Sequence, residues 1–393
     1  MTSWICRSTL FVSLSLTVAA LAQEAPKDPA KPPTTPPAAA PQPADPSKPA
    51  AAAFDKLLGE WKTLLKDLRA LKLQYQSAPT AEQAKINDQW TALVTKGNGM
   101  LAQLEAEGVK AYLEAPNQDP QLSRFLVKLA DDSLERDDYE AAARISQVLI
   151  DGQSSETKAY DVAAVAAYAL SDFKKAAEYH KQAQDAGVVG PLWGQWGANT
   201  PEANPEEYAK LWEKEQELRA AEEKKDDLPR VKIKTSKGDI VVELFEDQAP
   251  ETVGNFISLV EKGFYDGTPF HRVLKNFMAQ GGDPKGDGTG GPGYEIFCEC
   301  YKDNYRRHFR GSLSMAHSGR DTGGSQFFLT FRPTSHLNGK HTCFGRVIEG
   351  MDVLTKLQRI DPEAAAKPEA DKILTAEVVR KREHPYAPRK VAN

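Results

Sequence analysis

Residues 270–283 read Phe270-His271-Arg272-Val273-Leu274-Lys275-Asn276-Phe277-Met278-Ala279-Gln280-Gly281-Gly282-Asp283, and the fold of the C-terminal part turns on them. Two further stretches follow at close range. One is Gly311-Ser312-Leu313-Ser314-Met315-Ala316 with Thr322-Gly323-Gly324-Ser325-Gln326-Phe327-Phe328. The other is Leu337-Asn338-Gly339-Lys340-His341, leading to Phe344-Gly345. They are short apolar runs parted by glycine-rich turns, a strand signal. Upstream, Val231, Ile233, Ile240, Val242 and Leu244 alternate around Thr235-Ser236-Lys237-Gly238, which predicts a β-hairpin opening a domain. Ala249-Pro250-Glu251-Thr252 begins a helix with Val253, Phe256, Ile257 and Val260 on one face, and Gly263 ends it. Ile373 to Val379 offers a last strand.

The three stretches, in this order and spacing, resemble the cyclophilin-type peptidyl-prolyl cis-trans isomerases from opening hairpin to closing strand, roughly Arg230 to Arg380. The resemblance implies a domain at 228–383 built as a closed antiparallel β-barrel with flanking helices, a tail at 384–393, and an enzyme needing neither metal nor cofactor. An Xaa-Pro bond isomerises slowly because rotation breaks amide resonance, a barrier of about 18–20 kcal/mol. In the twisted transition state the prolyl nitrogen regains a lone pair, so a fixed donor there stabilises that state selectively. By resemblance Arg272 is that donor, Gln280 orients it or the substrate carbonyl, and Phe277 belongs to the catalytic set. Met278, Phe328 and Leu337 complete the apolar pocket, while Ala316, Gln326 and His341 line the groove. His336 stands where many members carry Trp and His317 where many carry Asn. Weak cyclosporin binding is expected, since the family Trp contributes to it.

Further towards the N-terminus, Asn204-Pro205-Glu206-Glu207 has a cap residue, a first-turn proline and early acids, so it predicts a helix start. The helix's later part, Glu213 to Asp227, is almost wholly charged and is expected to be a solvated connector. Gly187 to Thr200, with Trp193 and Trp196, is expected as a packed loop. Tyr139 and Phe173, Ala142 and Ala176, and Asp151 and Asp185 each lie 34 residues apart, which resembles a tetratricopeptide period. Phe54, Leu57, Leu58, Trp61, Leu64, Leu65, Leu68, Leu71 and Tyr75 form one helical stripe. Pro79-Thr80 breaks it, Thr80 with Gln83 resembles a capping box, and Ile86 to Leu104 carries a second stripe. The expected architecture is therefore multidomain, with an all-α tetratricopeptide-like region at 54–227 before the barrel.

Residues 23–53 hold ten prolines and ten alanines and predict a disordered linker. Arg7, the apolar run Leu10–Ala19 and Ala20-Leu21-Ala22 read as a signal peptide at 1–22. Export to the periplasm or the extracellular space is expected. The formal net charge of −5 argues against nucleic acid as partner.

Gly286-Asp287-Gly288-Thr289-Gly290-Gly291 fits G-x-G-x-x-G but is followed by Pro292-Gly293 rather than a helix, so a surface loop is expected. Cys298-Glu299-Cys300 with His308 and Cys343 lacks zinc-knuckle spacing, and half-buried free thiols are expected. The leading function is an isomerase acting on proline-containing segments of exported proteins, with a possible partner held by the helical region. The alternative is a proline-segment binder or envelope scaffold acting through its helices.

Overall fold

The computed structural model describes residues 49–188, 191–195, 204–364 and 368–391. The expected signal peptide and residues 23–48 of the expected linker lie outside them. The described residues fall into two compact units. One runs to Ser133 and includes Ala141–Val162; the other joins Leu134–Glu140 to Ala163 onward.

In the first unit, helices α1 (Pro49–Ser77) and α2 (Thr80–Glu114) pack as an antiparallel pair. The start of α1 meets the end of α2: Ala50 N donates to Glu114 at 3.2 Å. Gly108 lies so close to Phe54 that an added Cβ would stand 3.1 Å from its ring. Phe54, Leu58, Trp61 and Leu65 bury the predicted stripe. The helix starts at Pro49 rather than Phe54, because proline suits the first turn and the alanines after it are strong helix formers. The capping box is not formed. Thr80 already lies inside α2, and the Gln83 side chain donates to Ala78 O at 3.2 Å.

Helices α3 (Pro120–Glu135), α4 (Tyr139–Asp151), α5 (Lys158–Ala169) and α6 (Phe173–Asp185) follow. Helices α4 and α6 each have 13 residues and start 34 positions apart, with Tyr139, Ala142, Phe173 and Ala176 all buried. The period is thus present at the level of helices, without establishing a tetratricopeptide array. Within Gly187–Thr200, residues Pro191–Gln195 form a short helix, α7. Trp193 is buried there and stacks on His180 at 4.4 Å. Trp196 lies outside the described residues.

Helix α8 (Pro205–Lys225) begins as expected, with Asn204 Oδ1 accepting from Glu206 N at 2.9 Å and Glu207 N at 3.3 Å. It is not a solvated connector. Tyr208 and Glu215 are buried, and Tyr208, Phe173 and Trp212 cluster around Phe309 of the β domain. Among the described residues, no helix is long and apolar enough to cross a membrane.

Eight strands make one antiparallel sheet: β1 (Arg230–Thr235), β2 (Gly238–Leu244), β3 (Arg272–Leu274), β4 (Met278–Gly281), β5 (Ser312–Met315), β6 (Phe327–Thr330), β7 (Cys343–Glu349) and β8 (Ile373–Arg380). Their order is β3-β4-β6-β5-β7-β2-β1-β8. The β1–β2 hairpin turns on Ser236-Lys237, as predicted. Helix α9 (Pro250–Glu261) buries Val253, Phe256, Ile257 and Val260, and Gly263 ends it at φ +65°. A short helix, α10 (Met351–Lys356), precedes β8. No ladder joins the edge strands β3 and β8 among the described residues. The sheet is therefore a curled half-barrel, and the closed barrel is not established. Single backbone bonds link the neighbourhoods of those edges: Gly267 N to Ile373 O and Phe270 N to Asp371 O, both at 2.8 Å.

Candidate active site

The register of three strands builds the site. Arg272 on β3 stands opposite Gln280 on β4, and Gln280 opposite Phe328 on β6. Directly opposed residues in an antiparallel ladder share a face. A cation, an amide and an apolar ring thus line up across the sheet.

They line a groove of about 850 Å³. Its walls include Arg272, Phe277, Met278, Gln280, Ala316, His317, Gln326, Phe328, Leu337 and His341. Ten of the eleven expected site residues therefore come together. The eleventh, His336, is exposed and lies outside the lining, with its ring 5.5 Å from that of Phe277.

The Arg272 guanidinium is half-buried. Its Nη1 lies 3.4 Å from Gln280 Oε1, and its Cζ 5.7 Å from the Phe277 ring centre. Burial lowers its pKa, with Asp361 and Glu363 opposing, but from so high a value that the cation persists. Gln280 is oriented in turn: its Nε2 donates to Gln326 Oε1 at 2.9 Å. Gln326 Nε2 donates to Gly288 O and Gly290 O, each at 2.9 Å. The glycine-rich loop is therefore part of the groove wall rather than a nucleotide cradle. It folds around the buried Asp283 carboxylate, which accepts from Lys285 N at 2.8 Å and Gly288 N at 2.6 Å. Gly290 has no room for a side chain there, since an added Cβ would stand 1.9 Å from Asp283 Oδ1.

Beneath the apolar wall, Met278 and Phe328 are buried. Buried His308 stacks on Phe328 with ring centres 6.1 Å apart. Burial pushes its pKa down to about 3, so the ring is neutral. Its nitrogens contact Asn338 Oδ1 at 3.1 Å and Ser314 Oγ at 2.9 Å. Asn338 Nδ2 also donates to Tyr208 Oη of α8 at 2.7 Å. The loop carrying Leu337 is held from behind by these two contacts.

A second support was not visible in the sequence. Asp137, in the segment Leu134–Glu140, is fully buried and accepts from Asn276 N at 2.6 Å and Tyr139 Oη at 2.7 Å. Its other oxygen pairs with Arg359. Burial raises its pKa against the pull of Arg359. Asn276 sits at φ +58° directly before Phe277, a conformation that asparagine tolerates. Phe277 O accepts from Phe331 N at 2.9 Å. No local pattern marked Asp137, because its partners in the β domain, Asn276 and Arg359, lie well over a hundred residues away in sequence.

The cyclophilin type peptidyl-prolyl cis-trans isomerase/CLD family matches residues 230–378. A peptidyl-prolyl cis-trans isomerase of Helicobacter pylori is 56% identical over 131 residues, 33% of this chain and 80% of its own. Peptidyl-prolyl cis-trans isomerase B of Bacillus subtilis is 52% identical over 31% of this chain and 85% of its own. A solved cyclophilin type isomerase of Cryptosporidium parvum aligns with 39% of this chain and 99% of its own at 35% identity, with a TM-score of 0.37.

Proposed function

The chain belongs to the cyclophilin-type peptidyl-prolyl cis-trans isomerases, with the family domain at 230–378, and we propose that Arg272 drives its reaction by donating to the prolyl nitrogen of a twisted Xaa-Pro bond. One observation carries this reading: a half-buried guanidinium, steered by Gln280, borders an apolar floor of Met278 and Phe328. The floor would hold the proline ring. The donor would stabilise the lone pair that exists only when the amide is twisted. No proton moves and no bond to the enzyme forms.

The expected substrates are proline-containing segments of exported proteins. Export is supported by Arg7, the Leu10–Ala19 run and Ala20-Leu21-Ala22. The helices would hold a client or partner protein, and the 34-residue offset of α4 and α6 supports a tetratricopeptide-like reading of them. The backbone bonds between 267–270 and 371–373 support a sheet that closes as a barrel without a full ladder. We assign 228–383 to the isomerase domain and 54–227 to the helical region.

The test is isomerisation of a short Xaa-Pro peptide by the purified full chain. Acceleration over the uncatalysed rate is expected, and none would reject the reading. In the same assay cyclosporin should inhibit weakly, because His336 packs beside Phe277 outside the groove lining. Nanomolar inhibition would contradict that.

The buttress makes a separate prediction. Asp137→Asn keeps the shape but removes the charge that holds Arg359 and the backbone of Asn276. Phe277 loses its fixed position, and kcat/KM should fall roughly tenfold. The loss should appear mainly in KM, since Arg272 and Gln280 are untouched. Equal losses in both parameters, or none, would remove Asp137 as a positioning residue.

A further inference from the structure

Cys298 and Cys300 lie beside the groove, and the isomerase reaction uses neither. Glu299 between them is buried and points at helix α9. Its Oε2 accepts from Thr252 N at 2.9 Å and from Thr252 Oγ1 at 2.8 Å. The Cys300 thiol hydrogen-bonds to the Cys298 sulfur. Cys300 is buried, whereas Cys298 is half-exposed.

The Cys298 sulfur has a further donor. Asp321 N lies 3.2 Å from it, and Asp321 Oδ1 accepts from Cys298 N at 2.8 Å. Asp321 holds φ +61°, so a left-handed turn presents that N–H. His317 faces the same sulfur. Its Nε2 donates to Lys340 O at 2.8 Å, its Nδ1 is buried without a hydrogen-bond partner, and the charge of the ring acts on Cys298. The ring stacks on His341 with centres 4.1 Å apart.

We propose that Cys298 and Cys300 form a redox-active dithiol that exchanges with small-molecule disulfides, with Cys298 as attacking and Cys300 as resolving thiol. Cys298 is the better nucleophile. The hydrogen bond from Cys300 first, and then His317 and Asp321 N–H, hold its pKa well below the ordinary thiol range against the effect of burial. The hydrogen bond to Cys298 and burial raise that of Cys300. The Cys298 thiolate attacks one sulfur of a disulfide RSSR, whose S–S bond breaks and releases RS⁻. A mixed disulfide remains, and RS⁻ takes the Cys300 proton. The Cys300 thiolate then attacks the Cys298 sulfur and expels the second RS⁻, which is protonated from water. The two thiols are oxidised to one disulfide, and RSSR is reduced to two RSH. Cys343 supplies an internal control: it is buried, and burial pushes its pKa up to about 11.

The experiment uses the reduced full chain and glutathione disulfide, read by peptide mapping with mass spectrometry. The wild type should end as a Cys298–Cys300 disulfide, and Cys300→Ser as a stable mixed disulfide on Cys298. Cys343 should stay reduced. Without any variant, the rate of iodoacetamide labelling at Cys298 should change little between pH 6 and 8. An ordinary thiol of pKa near 8.5 would show a rise of roughly a hundredfold there. His317→Asn should restore part of that rise. An ordinary pH profile at Cys298, or a wild type that stays reduced or ends as a mixed disulfide, would overturn the proposal.

Discussion

Replacing Arg272 with alanine should lower kcat/KM for an Xaa-Pro peptide by about 10²- to 10³-fold, the range seen when one transition-state donor is removed. The groove should otherwise survive. Arg272 is half-buried, and its side-chain contacts are the 3.4 Å approach to Gln280, a loose one to the Met278 sulfur and the face of Phe277. Met278 and Phe328 stay packed from beneath, the latter against His308. Melting temperature should therefore move little while activity collapses, a pairing that separates a transition-state role from a structural one. Arg272→Lys tests the geometry as well as the charge. Lysine keeps a cation but loses the planar fork and the distribution of donors along it, so only part of the activity should return. Loss of less than tenfold in Arg272→Ala, measured on the full chain with circular dichroism to check folding, would show that the donor lies elsewhere.

The site residues were legible in the sequence because the three stretches resemble the family's motifs position by position; β5 and β6 are buried throughout and show no alternation. Arg272, Gln280 and Phe328 are 56 positions apart at most, and the β3–β4–β6 ladder places them side by side. The groove therefore followed from the resemblance of three motifs taken in order, and the ladder supplies its geometry. His336 was less accessible to this logic. It lies in a 3₁₀ turn, Ser335–Leu337, where a shift of one residue decides which side chain faces inward, and Leu337 does so instead. The helical part was legible as helices but not as packing. A stripe at spacing three and four identifies a buried face, as for Phe54 to Leu68, yet it cannot name what covers that face. The supports behind the groove were invisible for a related reason. Tyr208 and Glu215 are polar residues on a helix and Asp137 lies in the turn before α4, and polar residues in such places read as solvated unless a distant partner is known.

Glu215 is where that reading fails most, and Arg306→Ala should expose it by costing about 3–5 kcal/mol of stability. The Arg306 side chain is 1% exposed and lies over the Phe245 ring, 3.6 Å from its centre. It reaches Glu215 through Nε at 3.0 Å and Nη2 at 2.6 Å, and pairs with Glu222 one helical stretch later. Removing it leaves two carboxylates with little solvent access, with Arg219, 2.8 Å from Glu215, and Arg346, 3.9 Å from Glu222, as partial compensation. Burial raises the pKa of Glu215, but Arg306 and Arg219 outweigh it and the net shift is downward. A depressed carboxylate contributes stability that is present above its ordinary pKa and lost as pH falls through the lowered one. The wild type should thus weaken in acid more than Arg306→Ala does. Hydrogen exchange gives the sharper reading, because a solvated α8 would lose nothing in the variant. If α8 is docked through this network, protection of its amides should fall, and so should that of the Asn338 loop, which Tyr208 holds at 2.7 Å. Replacing Arg306, Glu215 and Glu222 together with apolar residues of similar volume should recover much of the stability, since the cost lies in stranding the charges rather than in losing the pair. Failure of the single variant to shift stability by even 1 kcal/mol would mean that α8 is held by Tyr208, Trp212 and Phe309 alone.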